Sequence, residues 1–541
     1  MYAGAMLRLV RSLACAAACA TLASNARAGG LYFSERGVRP LARGGAFVAG
    51  ADDLGAMWYN PAGLADAQGT MLADASLMLF TASFTQSYQV VGDGGAIQTC
   101  NLCGPTAHGD TPPIAIPTLG IAFPVGEERK LTLGAGVFAP YAPLLRFPET
   151  IDVNGAQVPS PTRYSLVSLE GTALAVLDLF AAYKIREDLR IGVGLEALAG
   201  VFQNVTDLYA NPGLLGAQQD PNYDALSQTR ATIFTPSANM GVTWIPSKLV
   251  RFGLAGQLPF WIDAPATVTV RLPNAVVFDN ASQVGDSAGV KFRLPAHVRA
   301  GVEVRPTDKV RVEASYEHQF WSLHDTIDIT PHNIELVGVT GFPSPYSIPA
   351  ISIPRHFQDC DSFHLGGEYR VDLSPSVKLD VRAGVGFETS AVPTAYESAL
   401  TIDGPKLTVA GGLGLTIDRT RIDATFAYVY MFDVDVPANV AALTPIDPVA
   451  GNVPPPPITS AVNGGHYSAS APIIGIGIQY KFGSAPKPPP PRAAPPPDVV
   501  VAPVTPPVVP VPVVVVPAPT NPIVEKPAEQ TPKPKSKKKT P

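Results

Sequence analysis

Gly285-Asp286-Ser287-Ala288-Gly289 has the spacing of a nucleophile elbow, G-x-S-x-G. That chemistry requires a buried strand before the serine and a helix after it, so that the hydroxyl stands clear of a tight turn. Here the pentapeptide lies in a polar loop ahead of an amphipathic run, so the match is read as chance and no catalytic residue is assigned. Cys100-Asn101-Leu102-Cys103 offers a second chemistry. In an oxidising compartment the pair is most simply a small loop disulfide, which leaves Cys360 odd. A zinc site needs a second Cys or His pair at matching spacing, and none is present, so neither metal nor cofactor is expected. Asp52-Asp53 reads as a helix cap before it reads as a ligand.

The elements that position these residues follow from composition. Over 541 residues only 16% are charged, Gly (48) and Pro (57) are abundant, and the net charge is -6. That balance leaves no basic footprint for nucleic acid. Arg8 and Arg11 precede an apolar run from Leu13 to Leu22 and then Ala26-Arg27-Ala28, the layout of a secretory signal peptide over residues 1–28. The mature chain then begins at Gly29, and Cys15 and Cys19 fall in the removed piece. No later stretch has the eighteen or so consecutive apolar residues of a spanning helix, so a closed barrel is the remaining spanning structure.

From Gln68 the chain repeats one unit: an alternating run, a tight turn, another run, a long polar loop. Tight turns lie at 126–129, 186–188, 245–248, 306–308, 374–376 and 418–420. Long loops fall at about 91–113, 141–163, 206–229, 272–290, 331–356, 391–404 and 437–465. Six short turns alternating with seven long loops predict an all-β, 14-stranded antiparallel transmembrane β-barrel over residues 67–482. In Lys378 to Glu388, Leu, Val, Ala, Val and Phe share one face, and Lys, Asp, Arg, Gly, Gly and Glu share the other.

Ahead of the strands, Ala46 to Leu64 is Ala- and Gly-rich, lacks period-2 alternation and ends in Asn60-Pro61-Ala62-Gly63-Leu64. It reads as part of a small N-terminal hatch over residues 29–66, folded inside the lumen. This segment, the start Gly29-Gly30-Leu31-Tyr32-Phe33-Ser34, and the stretches Gly134 to Pro140, Leu294 to Val302 and Tyr316 to Ser322 together resemble the FadL/TodX outer-membrane transporters of long-chain fatty acids and aromatic hydrocarbons. The likeness runs from about Gly29 to Phe482. It implies that a hydrophobic ligand is caught among the extracellular loops, passes to a pocket near Gly29, and leaves sideways through a kinked third strand.

Here that strand is about Lys130 to Tyr141, with Pro140 removing a ladder donor and Gly134 and Gly136 admitting the hatch. The plainer reading is that these residues mark barrel taper and a strand end. Trp58 and Tyr59 line the ligand pocket or pack the hatch against the wall. For an amphiphile, one inward cation would hold a carboxylate; Arg382 is the first choice, then Lys378 and Arg370. The alternative is that these cations pair with Asp380, Glu368 or Glu388 and rigidify the interior.

Residues 483–541 are Pro-rich and end in Lys533, Lys535, Lys537, Lys538 and Lys539, a polyproline or disordered tail expected in the periplasm. The expected partners are a hydrophobic small molecule, outer-membrane lipid or lipopolysaccharide, and a cell-wall or inner-membrane surface for the tail. The competing functions are a structural barrel that anchors the tail and a general porin.

Overall fold

The computed structural model describes residues 35–91, 96–139, 144–211, 219–449 and 461–482. The signal peptide, Gly29, Pro140 and the Pro-rich tail lie outside the described residues. Fourteen antiparallel strands form the wall. They are β1 (Thr70–Met78, then Thr81–Gln86), β2 (Thr106–His108, then Ile114–Val125), β3 (Leu131–Phe138), β4 (Ala173–Arg186), β5 (Leu189–Tyr209), β6 (Asp224–Trp244) and β7 (Val250–Gln257, then Trp261–Arg271). These are followed by β8 (Ser287–Arg293, then His297–Thr307), β9 (Val310–Gln319, then Thr326–Pro331), β10 (Ile351–Pro354, then Cys360–Asp372), β11 (Val377–Glu388), β12 (Lys406–Ile417), β13 (Thr420–Met431, then Val434–Val436) and β14 (Gly465–Lys481). Thr70 of β1 pairs with Ala122 of β2 on one side and with Lys481 of β14 on the other, which closes the ring. Closure leaves no strand edge to face lipid.

Period-2 alternation decides which face each residue takes. On β14, Ile474, Ile476, Ile478 and Tyr480 are exposed, whereas Gly475, Gly477 and Gln479 between them face inward. On β11, Val381 and Val385 point out and Asp380 and Arg382 point in. The six tight turns fall where the sequence pattern puts them. The third strand differs from expectation: it stops at Phe138, whereas β2 on one side and β4 on the other both run further.

Seven strands are broken part-way, among them the four neighbours β7 to β10, and Pro259, Pro295 and Pro354 stand at three of those four breaks. A proline cannot donate to the ladder. At these breaks large side chains turn into the lumen: Phe260, Leu294, Trp321 and Phe357 are all buried.

The lumen holds α1 (Val38–Ala42), α2 (Ala56–Tyr59) and a 3-10 turn (Pro61–Asp66). Five- and four-residue helices have no independent stability. Their packing against the wall holds them. Met57, Trp58 and Leu64 share one apolar cluster with Phe138, Phe180 and Leu198 of the strands. Gly192 on β5 permits the close approach, because a Cβ there would lie 2.3 Å from the Pro61 carbonyl.

Candidate functional site

Asn60 is fully buried and ties the hatch to the wall. Its Oδ1 accepts the Ala62 N–H at 3.1 Å, which caps the 3-10 turn that Pro61 opens. Its Nδ2 donates to the Val48 carbonyl at 2.9 Å, the Val242 carbonyl at 3.2 Å and Thr243 Oγ1 at 3.1 Å. Gly241 makes room, since a Cβ there would sit 2.1 Å from Asn60 Oδ1. The anchor is therefore on β6. Ala62 and Gly63 are buried in the same turn, where a Cβ on Gly63 would meet the Ala51 carbonyl at 2.2 Å.

What does meet β3 is Met57: a Cβ on Gly136 would lie 2.1 Å from its sulfur. Gly134 does not serve the hatch. Its missing side chain accommodates Phe180 of β4 and the Ile121 carbonyl of β2, so its role belongs to the wall. Trp58 packs edge-on to Phe138 and His297, with the Arg299 guanidinium 4.3 Å from its ring centre. The Tyr59 hydroxyl accepts the Arg36 N–H at 2.8 Å and donates to the Arg36 carbonyl at 3.1 Å. Both rings thus pack the hatch, the second of the two roles the sequence allows.

Charge seals the hatch on the side of the tight turns. Glu313 of β9 accepts the N–H groups of Val48 at 2.6 Å, Ala49 at 2.8 Å and Gly50 at 2.9 Å, and pairs with Arg43 at 3.0 Å. Arg39 reaches Asp52 at 2.6 Å, Asp53 at 2.9 Å and Glu368 at 3.1 Å. Burial works to raise the Asp52 carboxyl, but Arg311, Arg39 and Arg305 outweigh it and hold the group well below the usual range. Asp53 is lowered in the same way, with burial opposed by Arg39 and Arg421. Its Oδ1 also accepts the Gly55 N–H at 2.9 Å, a local turn ahead of α2; the N-cap of that helix is Gly55 and has no side-chain cap, so Asp53 is not the helix cap the sequence suggests.

Arg382 belongs to this network. It bonds Glu368 at 2.6 Å and Asp423 at 2.7 Å, and lies 3.5 Å from Asp380, with no exposed side-chain surface. Its guanidinium is thus committed to wall carboxylates, and a ligand carboxylate would have to displace them. Arg370 pairs with Asp380 at 2.7 Å. Lys378, together with Arg370, lines a polar vestibule of about 1190 Å³ on the tight-turn side of the hatch.

The other side of the hatch carries an aromatic cluster, which Gln319 links to the buried Glu388–Lys406–Asp403 ion pairs. Phe292, Trp321, His324 and Phe357 contact one another with ring centres 4.8 to 6.0 Å apart. Burial, with Arg355 nearby, pushes the His324 imidazole down to about 3, so the ring is neutral. Arg355 stands over Phe357 at 5.0 Å. Burial lowers its guanidinium to about 10 against the pull of Glu397. Its Nη2 donates to Thr401 Oγ1, its Nε has no hydrogen-bond partner, and it forms no ion pair among the described residues. Sequence reasoning missed this cation because Ile353-Pro354-Arg355-His356 reads as the end of a loop. Among the long connections, an apolar groove enclosing about 70 Å³ is lined by Leu208, Phe278, Leu336 and Ile446 among others.

Cys100 and Cys103 are disulfide-bonded, with Cα atoms 5.7 Å apart, and Cys360 is buried and free. Ser287 opens β8 and is followed by strand, so the G-x-S-x-G pentapeptide lacks the geometry of an elbow.

Residues 19–482 match the family model described as outer membrane protein transport protein (OMPP1/FadL/TodX). The chain belongs to the OMPP1/FadL/TodX family. It is an outer membrane transport protein of the FadL/TodX type and not an enzyme. Its fold is similar to a Pseudomonas aeruginosa FadL homologue, at TM-score 0.61 and 16% identity over 84% of this chain and 100% of that one. It is also similar to the Ralstonia pickettii toluene transporter TbuX, at 0.52 and 16% over 83% and 99%. For the Pseudomonas putida toluene transporter TodX the values are 0.53 and 14% over 84% and 100%. No curated protein matches the chain.

Proposed function

We propose that this FadL/TodX-type protein takes up hydrophobic compounds, long-chain fatty acids or related apolar molecules, passively across the outer membrane. The observation that carries this reading is the division of the lumen by the hatch. On the loop side lie an apolar groove and a buried aromatic cluster at Trp321 and Phe357; on the turn side lies a vestibule lined by charge. An apolar solute gains free energy by leaving water for the first and has no such gain in the second. A general porin needs a continuous aqueous path, which the hatch interrupts among the described residues.

In this reading the ligand is captured among the loops and held against the aromatic cluster, where a carboxylate meets Arg355 rather than Arg382. It leaves sideways past β3. The early end of that strand supports the route: Ala139 still donates to the Pro117 carbonyl at 3.1 Å, and beyond it Ile114 to Ile116 of β2 and Ala173 to Ala175 of β4 have no β3 partner among the described residues. Nothing in uptake requires a nucleophile or a cofactor. The lysines that end the tail suit contact with an anionic cell-wall or inner-membrane surface.

The test is proteoliposome permeation together with ligand binding by the purified protein. Binding of a fatty acid or a small aromatic hydrocarbon with exclusion of sugars supports the reading. Free passage of sugars, or binding of neither ligand, overturns it.

A further inference from the structure

Asp178 lies on β4 with its side chain in the lumen and 1% of its surface exposed. Neither carboxylate oxygen has a hydrogen-bond partner among the described residues. It is paired across the ladder with Gly136 of β3, two residues inside the point where that strand ends, and on its other side with Glu196 of β5. Glu196 is also buried, and its two oxygens accept from Asn239 Nδ2 at 2.8 Å and Gln257 Nε2 at 2.9 Å. Asn239 Nδ2 donates as well to the Met57 carbonyl at 3.0 Å. Because its partners are all acceptors, the Asn239 amide is fixed with Oδ1 turned away from them, and that oxygen has no donor. The same holds for Gln257 Oε1.

Four buried acceptor oxygens thus gather in this part of the lumen with no donor: both oxygens of Asp178, Asn239 Oδ1 and Gln257 Oε1. Two of them abut the bare Cα of Gly194, where a Cβ would fall 2.6 Å from Asp178 Oδ1 and 2.5 Å from Asn239 Oδ1. Neither Asp178 nor Glu196 forms an ion pair with a described residue. A buried acceptor without a donor is costly, and a further anion brought beside the two buried carboxyl groups is costlier still.

We propose that Asp178, Glu196, Asn239 and Gln257 form a headgroup station beside the end of β3 that takes a neutral hydrogen-bond donor, an alcohol, a phenol or a protonated carboxyl, and rejects a carboxylate. This deepens the uptake reading and rests on it. The lumen then has two stations of opposite preference. Arg355 attracts an anion on the loop side, and the Asp178 group admits only an uncharged donor next to β3. A carboxylic acid held as its anion above must take up a solvent proton before it occupies the lower station. The Met57 and Trp58 side chains of the hatch stand against this part of the wall, at Gly136 and Phe138, so filling the station requires the hatch to shift.

The experiment compares binding of decanol and decanoate to the purified full-length protein at pH 8, where decanoate is ionised, in the wild type and in Asp178→Asn and Glu196→Gln. Each variant is first checked for heat-modifiable migration as a folded barrel. The decanol-to-decanoate affinity ratio is expected to fall by about tenfold or more in Asp178→Asn, which keeps the shape but removes the charge and supplies a donor. It should fall in the same direction in Glu196→Gln, which carries the test if Asp178→Asn does not fold. A ratio within about twofold of wild type in both variants overturns the station while leaving uptake standing. Binding of neither probe by the wild type overturns the uptake reading and the station with it.

Discussion

The Glu313 carboxylate accepts the backbone N–H of Val48 at 2.6 Å, joining a wall strand directly to the backbone of the hatch. Ala49, Gly50 and Arg43 complete the ring of donors around the same carboxylate. Replacing it by an apolar isostere leaves Arg43 with Glu303 alone, at 3.1 Å, and strands three buried N–H groups, a loss on the order of 3–5 kcal/mol. Glu313→Leu is expected to loosen the hatch and leave the barrel closed. Single-channel recording checks this: ion conductance should appear in the variant, while its heat-modifiable migration stays that of a folded barrel.

Asn60→Ala removes three donated bonds and one accepted bond, and leaves the Val48 and Val242 carbonyls buried without that donor. The expected cost is about 2–3 kcal/mol, confined to the hatch. Uptake of labelled fatty acid should fall severalfold with barrel assembly intact. Loss of heat-modifiable folding would instead make the tripeptide a determinant of assembly.

Gly192→Ala tests the close approach of wall and hatch from the other side. The new Cβ would meet the Pro61 carbonyl at 2.3 Å, backbone against backbone, so the hatch and not a flexible side chain must move. Amide hydrogen exchange over residues 56–66 should quicken at least tenfold, a loss of about 1.4 kcal/mol in local protection. Gly256→Ala, where the nearest atom is 3.6 Å away, is the matched control and should leave exchange unchanged.

The wall was legible in the sequence because a barrel strand obeys one local rule. Lys378 to Glu388 alternates residue by residue, and tight turns such as 186–188 carry their own composition. The hatch was legible as a departure from that rule, and Asn60-Pro61 as a turn. Its address was not, because Asn60 reaches Thr243 across 183 positions of sequence and no local pattern records such a contact. Arg382 illustrates the same limit. Alternation points it inward, but only the folded register brings Glu368 and Asp423 onto its guanidinium. Arg355 was hidden for the opposite reason: it follows a proline at a strand break, where alternation ceases to predict facing.

Arg355→Met should separate the two candidate cations. The side chain keeps its length over Phe357 and loses its charge, so neutral ligands should bind within about twofold of wild type while a carboxylate weakens about tenfold. Arg382→Met should disturb the Glu368 and Asp423 network and lower thermal stability, with little preference between the two ligand types. Calorimetric titration with decanoate and decanol, beside melting curves, reads both effects. A carboxylate-selective loss in Arg382→Met alone would return the anchor to that position.

Acid should release the hatch through Asp52 and Asp53. Both are depressed in the docked state, burial being outweighed by Arg311 and Arg39 for the first and by Arg39 and Arg421 for the second. In an undocked, solvated hatch each carboxyl returns to about 3.9. The undocked state therefore binds more protons wherever pH lies below that value, and acid favours it there. Above it both states are ionised, so the stabilisation is fully present and pH has no leverage. Ion conductance of the reconstituted protein is expected to stay closed and flat from pH 8 to about 5, and to rise as pH falls below about 4. Asp52→Asn should conduct more than wild type at neutral pH and respond less to acid, since one of the two titrating groups is already neutral. Opening between pH 7 and 5 would assign control of the hatch to other groups.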